Sequence, residues 1–319
     1  MIYRLCLTTM IALLLATVVN ADNPFGLPEP ESADRPGTIM LHGGGRISEN
    51  VFRRFVALAG GTSAKIVLVP SAGFDTRHYD SRRDFDDALR YRYSAWFGLE
   101  SRRQIENLTV LHTEDPYDAD DPAFIAPLAE ATAVWFTGGD QGRLNYRFVG
   151  GNEETQFQLE LKSVLRRGGV IGGTSAGTAA IPEIMTLRAT QDGDGQPFSA
   201  RIAHGFGLMT RAIVEQHFDT RSGRLERFLG VLKDDDRLQE WSRSANVAAT
   251  MMGIAVDEPA TAEICESGLR CWGPGHVHLF VKRDNSKTVE WHDLAPNETV
   301  NVELKKGRQG YTVTRSGDN

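Results

Sequence analysis

The feature that most constrains this chain is a glycine-flanked serine that directly follows a short apolar run. Val170-Ile171 leads into Gly172-Gly173-Thr174-Ser175-Ala176-Gly177. Because glycine accepts a sharp turn and adds no side chain, the segment predicts a strand, a tight turn that exposes Ser175, and a helix. Backbone N–H groups at the start of such a helix face any oxyanion formed beside the serine. The pattern fits a nucleophile elbow. It also fits a plain strand-to-helix turn with an N-capping serine, and residues further along the chain distinguish the two.

Short apolar segments alternate with amphipathic helical patterns before the elbow. Strands are predicted at 38–42, 65–70, 108–112 and 132–137, and the charged segment 84–104 has helical composition. Two further helical faces are formed by Val51, Phe52, Phe55, Val56 and Ala59, with Asn50 as the cap, and by Phe157, Leu161, Val164 and Leu165. This alternation predicts an α/β fold with parallel strands and helices on both faces of the sheet.

The pattern changes from residue 253 onward. Short strands separated by turns are predicted at 253–256, 277–282, 299–304 and 310–314, which indicates an antiparallel extension of the same domain. Residues 22–37 are rich in proline and predict a flexible N-terminal segment of the mature chain. We therefore expect one α/β domain over residues 38–319.

Three glycine-containing loops follow predicted strands, at 43–45, 138–141 and 173–177. Ligands of open parallel sheets bind at the carboxyl ends of the strands. These loops are therefore expected to lie together on one rim of the sheet, around Ser175.

The first residues have the pattern of a secretory signal peptide. Arg4 precedes an uncharged and mostly apolar run over residues 5–19, and small or tolerated residues end at Ala21. We predict cleavage near Ala21 and export to the periplasm or the medium, with an uncleaved N-terminal anchor as the alternative. No later segment reaches 18 uncharged apolar residues, so no membrane contact is expected after cleavage.

Charge and cysteine content exclude some function classes. Removal of residues 1–21 would take away Arg4 and Cys6 and leave a net charge of −8. An acidic chain argues against nucleic-acid binding, which depends on the neutralisation of phosphates. The remaining Cys265 and Cys271 favour a disulfide in an exported chain and are too few for a zinc site. No metal and no organic cofactor is expected.

A serine hydroxyl needs a base within hydrogen-bond reach and a third group that orients the base. His217 ends the apolar run Ala212-Ile213-Val214-Glu215-Gln216, where the ligand rim is expected. His276 and His278 flank a predicted strand and are better explained as exposed polar positions. The third group is predicted to be Asp257 or Glu258, which follow the run 253–256. The alternative is that these two acids only end a strand.

Three arginines follow the predicted base, at Arg221, Arg224 and Arg227. A guanidinium binds a carboxylate in a bidentate manner, so their position favours recognition of a carboxylate substrate. A solvated helix face with an ion pair to Glu226 is the simpler alternative.

Taken together, the motifs resemble those of the cyanophycinase family. They are Phe136-Thr137-Gly138-Gly139-Asp140-Gln141, Gly173-Thr174-Ser175-Ala176-Gly177, Glu215-Gln216-His217-Phe218 with its arginines, and residues 253–258. That family is similar to peptidase E and to class I glutamine amidotransferase-like folds, so the resemblance implies a flavodoxin-like three-layer sandwich. It also implies a serine exopeptidase that acts on aspartyl peptides. The chain has Glu215 where the family usually has aspartate, and the segment 74–103 matches no motif.

The resemblance also implies residue roles. Ser175 would be the nucleophile, His217 the base and Glu258 the orienting acid. Ala176 and one of Gly138 or Gly139 would donate oxyanion N–H groups. The substrate groove would be lined by Gln141, Glu215, Gln216, Arg221, Arg224 and Arg227.

The expected substrate is a peptide or polyamide rich in aspartate and arginine, such as cyanophycin, from which β-Asp-Arg dipeptides would be released. Two other functions fit the residues. One is a dipeptidase that acts on α-aspartyl or isoaspartyl peptides, and the other is a non-catalytic binding protein on the same scaffold. A homodimer is compatible with the sequence.

Overall fold

The computed structural model describes residues 23–32, 34–151, 153–191, 197–282, 288–305 and 310–316. The predicted signal peptide at 1–21 lies outside the described residues. Within these ranges, no helix has both the length and the apolar composition needed to cross a bilayer.

The described strands are β1 Thr38–His42, β2 Lys65–Val69, β3 Asn107–Val110, β4 Ala133–Phe136, β5 Val170–Thr174, β6 Ile184–Gln191, β7 Pro197–His204, β8 Ala212–Gln216, β9 Met252–Val256, β10 Thr261–Cys265, β11 Gly268–Trp272, β12 Val277–Lys282, β13 Val289–Leu294, β14 Thr299–Leu304 and β15 Tyr311–Arg315. The described α-helices are α1 Glu49–Leu58, α2 Arg82–Arg92, α3 Ser94–Ser101, α4 Pro122–Glu130, α5 Gln141–Phe148, α6 Gln156–Arg166, α7 Ala176–Ala179, α8 Arg224–Leu232, α9 Asp235–Ser242 and α10 Ala245–Ala249.

A nine-stranded sheet forms the centre of the fold, in the order β15-β14-β11-β10-β1-β5-β4-β2-β3. Neighbours within β1-β5-β4-β2-β3 are parallel, and β10, β11, β14 and β15 extend the sheet from β1 by antiparallel pairing. The expected α/β class, with parallel strands followed by an antiparallel C-terminal part, is confirmed. Of the five parallel strands in this sheet, β5 is the last along the chain, and it ends directly before Ser175.

Alternating residues of the parallel strands pack on opposite faces of the sheet. On one face, Met40 and Trp135 contact a cluster with Phe55 of α1 and Trp96 of α3. On the other face, Phe136 packs in a second cluster with residues of α4, α5 and α6. Helices therefore cover both faces, because strands buried on both sides need an apolar layer on each.

A second sheet of four strands, in the order β13-β12-β9-β8, packs beside the central one. The expectation of an antiparallel extension was incomplete here, since β8 and β9 are parallel neighbours. The strands β10 and β11 were not predicted at all and extend the central sheet instead. This arrangement places the C-terminal ends of β8 and β9 next to the loop that follows β1.

The predicted disulfide is wrong, because Cys265 and Cys271 are both free thiols. The two residues lie on the neighbouring strands β10 and β11, where Cys265 is opposite Gly268 and Cys271 is opposite Ala262. Paired residues of a sheet share a face and successive residues alternate. The two sulfurs therefore point to opposite faces, and a bond between them would require a change of strand register.

Two helix boundaries also differ from the prediction. Ser48, not Asn50, is the N-cap residue of α1. The predicted helical segment at 84–104 consists of two helices, α2 and α3, that are separated at Tyr93, whose φ of −112° and ψ of 32° are not helical. The break separates α2, whose Phe85 and Leu89 pack with Phe74, from α3, whose Trp96 packs against Phe55 of α1.

Candidate active site

Ser175 lies at the sharp turn between β5 and α7. Its φ is 55° and its ψ is −113°, a strained combination for a residue with a side chain. The Ser175 N–H donates to the carbonyl of His42 over 3.0 Å, which anchors the turn on β1. Gly177 is required because a Cβ there would overlap the backbone of Phe136. The local sequence thus folds as an elbow that holds one hydroxyl at the end of the sheet.

His217 is the partner of this hydroxyl. It follows directly after β8, and its N–H donates to the carbonyl of Gly43 over 3.0 Å. Its φ of 53° turns the ring back toward the elbow. The distance between Ser175 Oγ and His217 Nε2 is 2.6 Å. The sequence predicted this pair from two strand ends, although the strands prove to belong to different sheets.

The structure distinguishes between the two acids that the sequence left open. Glu258 Oε1 contacts Nδ1 of His217 and also accepts a hydrogen bond from Thr220 Oγ1 over 3.3 Å. Asp257 instead forms a 3.1 Å hydrogen bond with Nε2 of His278. A carboxylate at Nδ1 favours the imidazole tautomer that carries its proton on Nδ1, and in that tautomer Nε2 can accept a proton.

His276 and His278 were expected to be exposed polar positions, and this is wrong for His278, which is 8% exposed. Its ring contacts Asp257 and packs edge-on against the ring of Trp291. The pairing keeps Asp257 away from His217 and helps to place its neighbour, Glu258. The N–H of Glu258 is fixed separately by a 2.9 Å hydrogen bond to Asp219 Oδ1.

The electrostatic surroundings keep His217 neutral. Burial, together with the positive charges of Arg221 and Arg224, lowers the pKa of the His217 imidazole from 6.5 to about 4. The ring is therefore unprotonated at neutral pH, which is the state that a general base requires. Within the described ranges, no group of three or more residues of the types His, Cys, Asp and Glu is arranged to hold a metal ion.

Gly138 and Gly139 follow β4 and lie beside the elbow. A Cβ on Gly138 would be 3.4 Å from Cβ and 3.9 Å from Oγ of Ser175. Gly139 has a φ of 151°, and a Cβ there would overlap the carbonyl group of Ala72. Ala176 is the first residue of α7 and is buried. Gly138 therefore lies against Ser175, with Gly139 and Ala176 as the next residues along the chain, and the role of these residues as oxyanion donors stays a prediction.

Two clefts meet at Ser175. The smaller one, the arginine cleft, has a volume of about 660 Å³ and is lined by Gly139, Asp140, Gln141, Gly142, Ser175, Leu187, Arg188, Arg201, Gln216, Arg221, Arg224 and Arg227. The larger one, the aromatic cleft, has a volume of about 1840 Å³ and extends from Ser175 and His217 between α1, α3 and the segment 73–79. Arg221 belongs to the walls of both.

The arginine cleft contains most of the residues predicted to line a substrate groove, with one correction. Glu215 was expected on the cleft wall but has no exposed surface. Its carboxylate binds Arg224 Nη1, and Arg227 donates to it through Nε over 2.8 Å and Nη2 over 2.7 Å. Glu215 therefore holds the two arginines from behind. Gln141 is on the wall, and its Nε2 donates to the carbonyl of Thr186.

Sequence reasoning missed Gly44 as a site residue. Its φ is 145°, and a Cβ there would overlap the ring of His217. The run of three glycines after β1 was recognised as a turn, but its contact with His217 was not, because the sequence does not show that β1 and β8 end at the same place.

A comparison with protein-family models identifies the family of this chain. The family model of peptidase family S51 matches residues 39–270, a span that contains the elbow, His217 and Glu258. The chain belongs to peptidase family S51. Accordingly, it is a serine-type peptidase.

Relatives of this S51 peptidase share about a quarter of their residues with it. The cyanophycinase of Synechococcus elongatus is 26% identical over 285 residues, which cover 88% of this chain and 79% of the relative. The cyanophycinase of Geminocystis herdmanii is 26% identical over 215 residues, which cover 67% of this chain and 68% of the relative. Among solved structures, a peptidase from an acI-B1 Actinobacterium has a TM-score of 0.56 at 16% identity, covering 84% of this chain and 97% of the other. The last comparison supports the fold alone.

Proposed function

We propose that this S51 peptidase is exported and hydrolyses aspartyl-linked peptides, cyanophycin in particular, with release of β-Asp-Arg dipeptides. The observation that carries the proposal is the 2.6 Å contact between Ser175 Oγ and His217 Nε2, with Glu258 on the far side of the ring. The cyanophycinase names of the relatives support the substrate. The signal-peptide pattern of residues 1–21 supports export.

In the proposed reaction, Ser175 Oγ attacks the carbonyl carbon of the substrate amide while His217 Nε2 takes the hydroxyl proton. Glu258 stabilises the imidazolium that forms. Backbone N–H groups of Ala176 and of Gly138 or Gly139 bind the oxyanion. His217 then gives its proton to the leaving nitrogen, and the C–N bond breaks. A water molecule, deprotonated by His217, releases the acyl group and restores Ser175.

The arginine cleft supports a substrate that carries a carboxylate. Glu215 neutralises part of the charge of Arg224 and Arg227, but Arg188, Arg201 and Arg221 add to it, and Asp140 is the one acid on the wall formed by described residues. In a β-Asp-Arg unit the α-carboxylate of arginine is free. Guanidinium groups bind such a carboxylate in a bidentate manner.

Side-by-side incubation with cyanophycin and with Asp-X dipeptides tests the substrate. We expect β-Asp-Arg from the polymer, and cleavage of α-aspartyl dipeptides alone would establish the dipeptidase alternative.

Ser175→Ala is expected to lower the hydrolysis rate by roughly 10³-fold or more with the fold intact. Near-normal turnover of that variant would remove Ser175 from the mechanism. Failure of the wild type to react with a fluorophosphonate probe at Ser175 would favour a binding protein.

A further inference from the structure

Glu258, the acid of the proposed mechanism, lies just beyond the end of a strand. β9 ends at Val256, so Glu258 is outside the strand, and its side chain is 27% exposed. To hold a glutamate side chain in one orientation costs conformational entropy, because it has several rotatable bonds. The place of this carboxylate against His217 therefore depends on contacts from outside β9.

The turn of residues 217–221 follows β8 and supplies these contacts. It is closed by a 3.3 Å hydrogen bond from the N–H of its last residue to the carbonyl of its first. Its second residue, Phe218, donates from its N–H to the carbonyl of Val256 over 3.2 Å, which attaches the turn to the end of β9. The base follows β8 and the acid follows β9, so this turn links the two.

Two side chains of this turn bind Glu258 directly. Asp219 Oδ1 accepts a hydrogen bond from the N–H of Glu258 over 2.9 Å. Thr220 Oγ1 donates over 3.3 Å to Oε1 of Glu258, the same oxygen that contacts Nδ1 of His217. The other carboxylate oxygen, Oε2, lies beside Gly45, where a Cβ would be 3.1 Å from it. One hydrogen bond thus fixes the backbone of the acid, and the other fixes the oxygen that faces the base.

We propose that Asp219 and Thr220 are positioning residues that hold the carboxylate of Glu258 against Nδ1 of His217. Asp219 sets the point at which the side chain of Glu258 leaves the backbone, and Thr220 sets the direction of Oε1. Both residues act through Glu258 and not on the reacting atoms. This inference rests on the proposed function and adds to its mechanism two residues that the sequence motifs did not single out.

The exposure of the two residues separates a positioning role from a structural one. Asp219 and Thr220 are both exposed, so water can replace their hydrogen bonds and the free energy of unfolding is expected to change little. The geometry of the base is more sensitive, since a displacement of about 1 Å can lower a rate about 10²-fold. A positioning role therefore predicts a loss of kcat without a fall in Tm.

Asp219→Ala and Thr220→Val remove the two hydrogen bonds one at a time. We expect each variant to lower kcat about tenfold and both together about 10²-fold. KM is expected to stay within about twofold and Tm within about 2 °C of the wild type. A wild-type kcat in the double variant would overturn the proposal, and so would a kcat loss that is matched by a large fall in Tm.

Conservative variants test whether the hydrogen bonds themselves are responsible. Asp219→Asn keeps an acceptor oxygen and Thr220→Ser keeps a donor hydroxyl, so both are expected to retain kcat within about threefold. The matched control is Ser222→Ala, on an exposed serine two residues beyond Thr220 that forms no hydrogen bond with Glu258 in the described part of the chain. Losses in the conservative or control variants as large as those in Asp219→Ala and Thr220→Val would contradict the assignment.

A combination with Glu258→Ala shows whether the two residues act through the acid. In that background there is no carboxylate to position, so Asp219→Ala and Thr220→Val are expected to lower kcat by no more than about a further twofold. Further losses as large as those measured with Glu258 present would mean that the two residues act on another group, and the proposal would be wrong.

The Nδ1 proton of His217 provides a readout that needs no substrate. A histidine N–H bonded to a carboxylate gives a strongly downfield signal in the proton NMR spectrum, and Glu258→Ala assigns this signal by its loss. We expect the signal in the wild type and its weakening in the double variant of Asp219 and Thr220. If this difference is found but the wild type does not hydrolyse cyanophycin, only the assigned reaction is wrong. If the wild type hydrolyses cyanophycin and the double variant keeps both signal and kcat, only the positioning roles are wrong.

Discussion

Replacement of Glu215 by glutamine tests the buried charge cluster behind the arginine cleft. Glu215 has no exposed surface, and Arg224 and Arg227 are 7% and 8% exposed. Glutamine keeps the size of the side chain but removes its charge, so two guanidinium groups lose their anion where water cannot replace it. Removal of one partner from a buried ion pair costs about 3–5 kcal/mol. The remaining amide oxygen still accepts one hydrogen bond, so we expect a loss near 3 kcal/mol.

Thermal and urea unfolding followed by circular dichroism measure this loss. A destabilisation near 3 kcal/mol corresponds to a fall in Tm of roughly 6 °C, at about 2 °C per kcal/mol for a chain of this size. The matched control is Glu226→Gln, an exposed glutamate in the first turn of the same helix α8, for which the expected change is within about 0.5 kcal/mol. Equal melting of the Glu215 variant and the wild type would refute the reasoning.

The same variant separates a structural from a catalytic role. Glu215 lies behind the arginines and not in contact with Ser175, so its loss is expected to raise KM more than it lowers kcat. A large fall in kcat with unchanged KM would mean that Glu215 acts on the reacting atoms.

Three further predictions concern the reacting groups. Glu258→Gln is expected to lower kcat about 10²–10⁴-fold, whereas Asp257→Asn, which loses a contact to a different histidine, keeps kcat within about tenfold. Gly44→Ala is expected to lower kcat about 10²-fold because its Cβ displaces the His217 ring. The activity control is Gly61→Ala, at a glycine whose φ of 60° is also positive but whose Cβ would enter open space. Since the folded-state pKa of His217 is lowered to about 4, kcat/KM rises between about pH 3 and pH 5 and is flat from pH 6 to 8. In the same protein, stability falls as the pH drops from about 6.5 toward 4, because the unfolded state binds the proton more readily. An activity midpoint near pH 6.5 would contradict the buried neutral ring, and equal kcat losses for the two acid variants would contradict the assignment of Glu258.

Much of the fold was predictable because each buried strand is a short apolar run bounded by polar or glycine residues. The prediction of 277–282 coincides with β12, and 65–70 exceeds β2 by one residue. The pair β10 and β11 was missed because a charged residue, Glu263 or Arg270, interrupts the apolar run of each strand. Its cysteines also suggested a disulfide instead of a hairpin. The hairpin of β6 and β7 was missed as well.

The candidate site was predictable where it depends on strand ends. Ser175, His217 and Glu258 each follow an apolar run, and residues at such positions converge in an α/β fold. The burial of Glu215 was not predictable, because it depends on α8 beginning at Arg224. That start places Arg224 and Arg227 on one helix face turned back toward β8. The sequence shows the charges but not the direction in which the helix runs.

The backbone at Ser175 has a consequence for how this peptidase could lose its activity. A serine held at a φ of 55° and a ψ of −113° raises the energy of the folded state by about 1–3 kcal/mol, whereas glycine adopts such angles with little penalty. Under the proposed mechanism, a descendant with glycine at this position would be inactive and yet more stable than its parent. If Ser175 is the nucleophile, the residue that the reaction requires is thus not the residue that this backbone conformation favours.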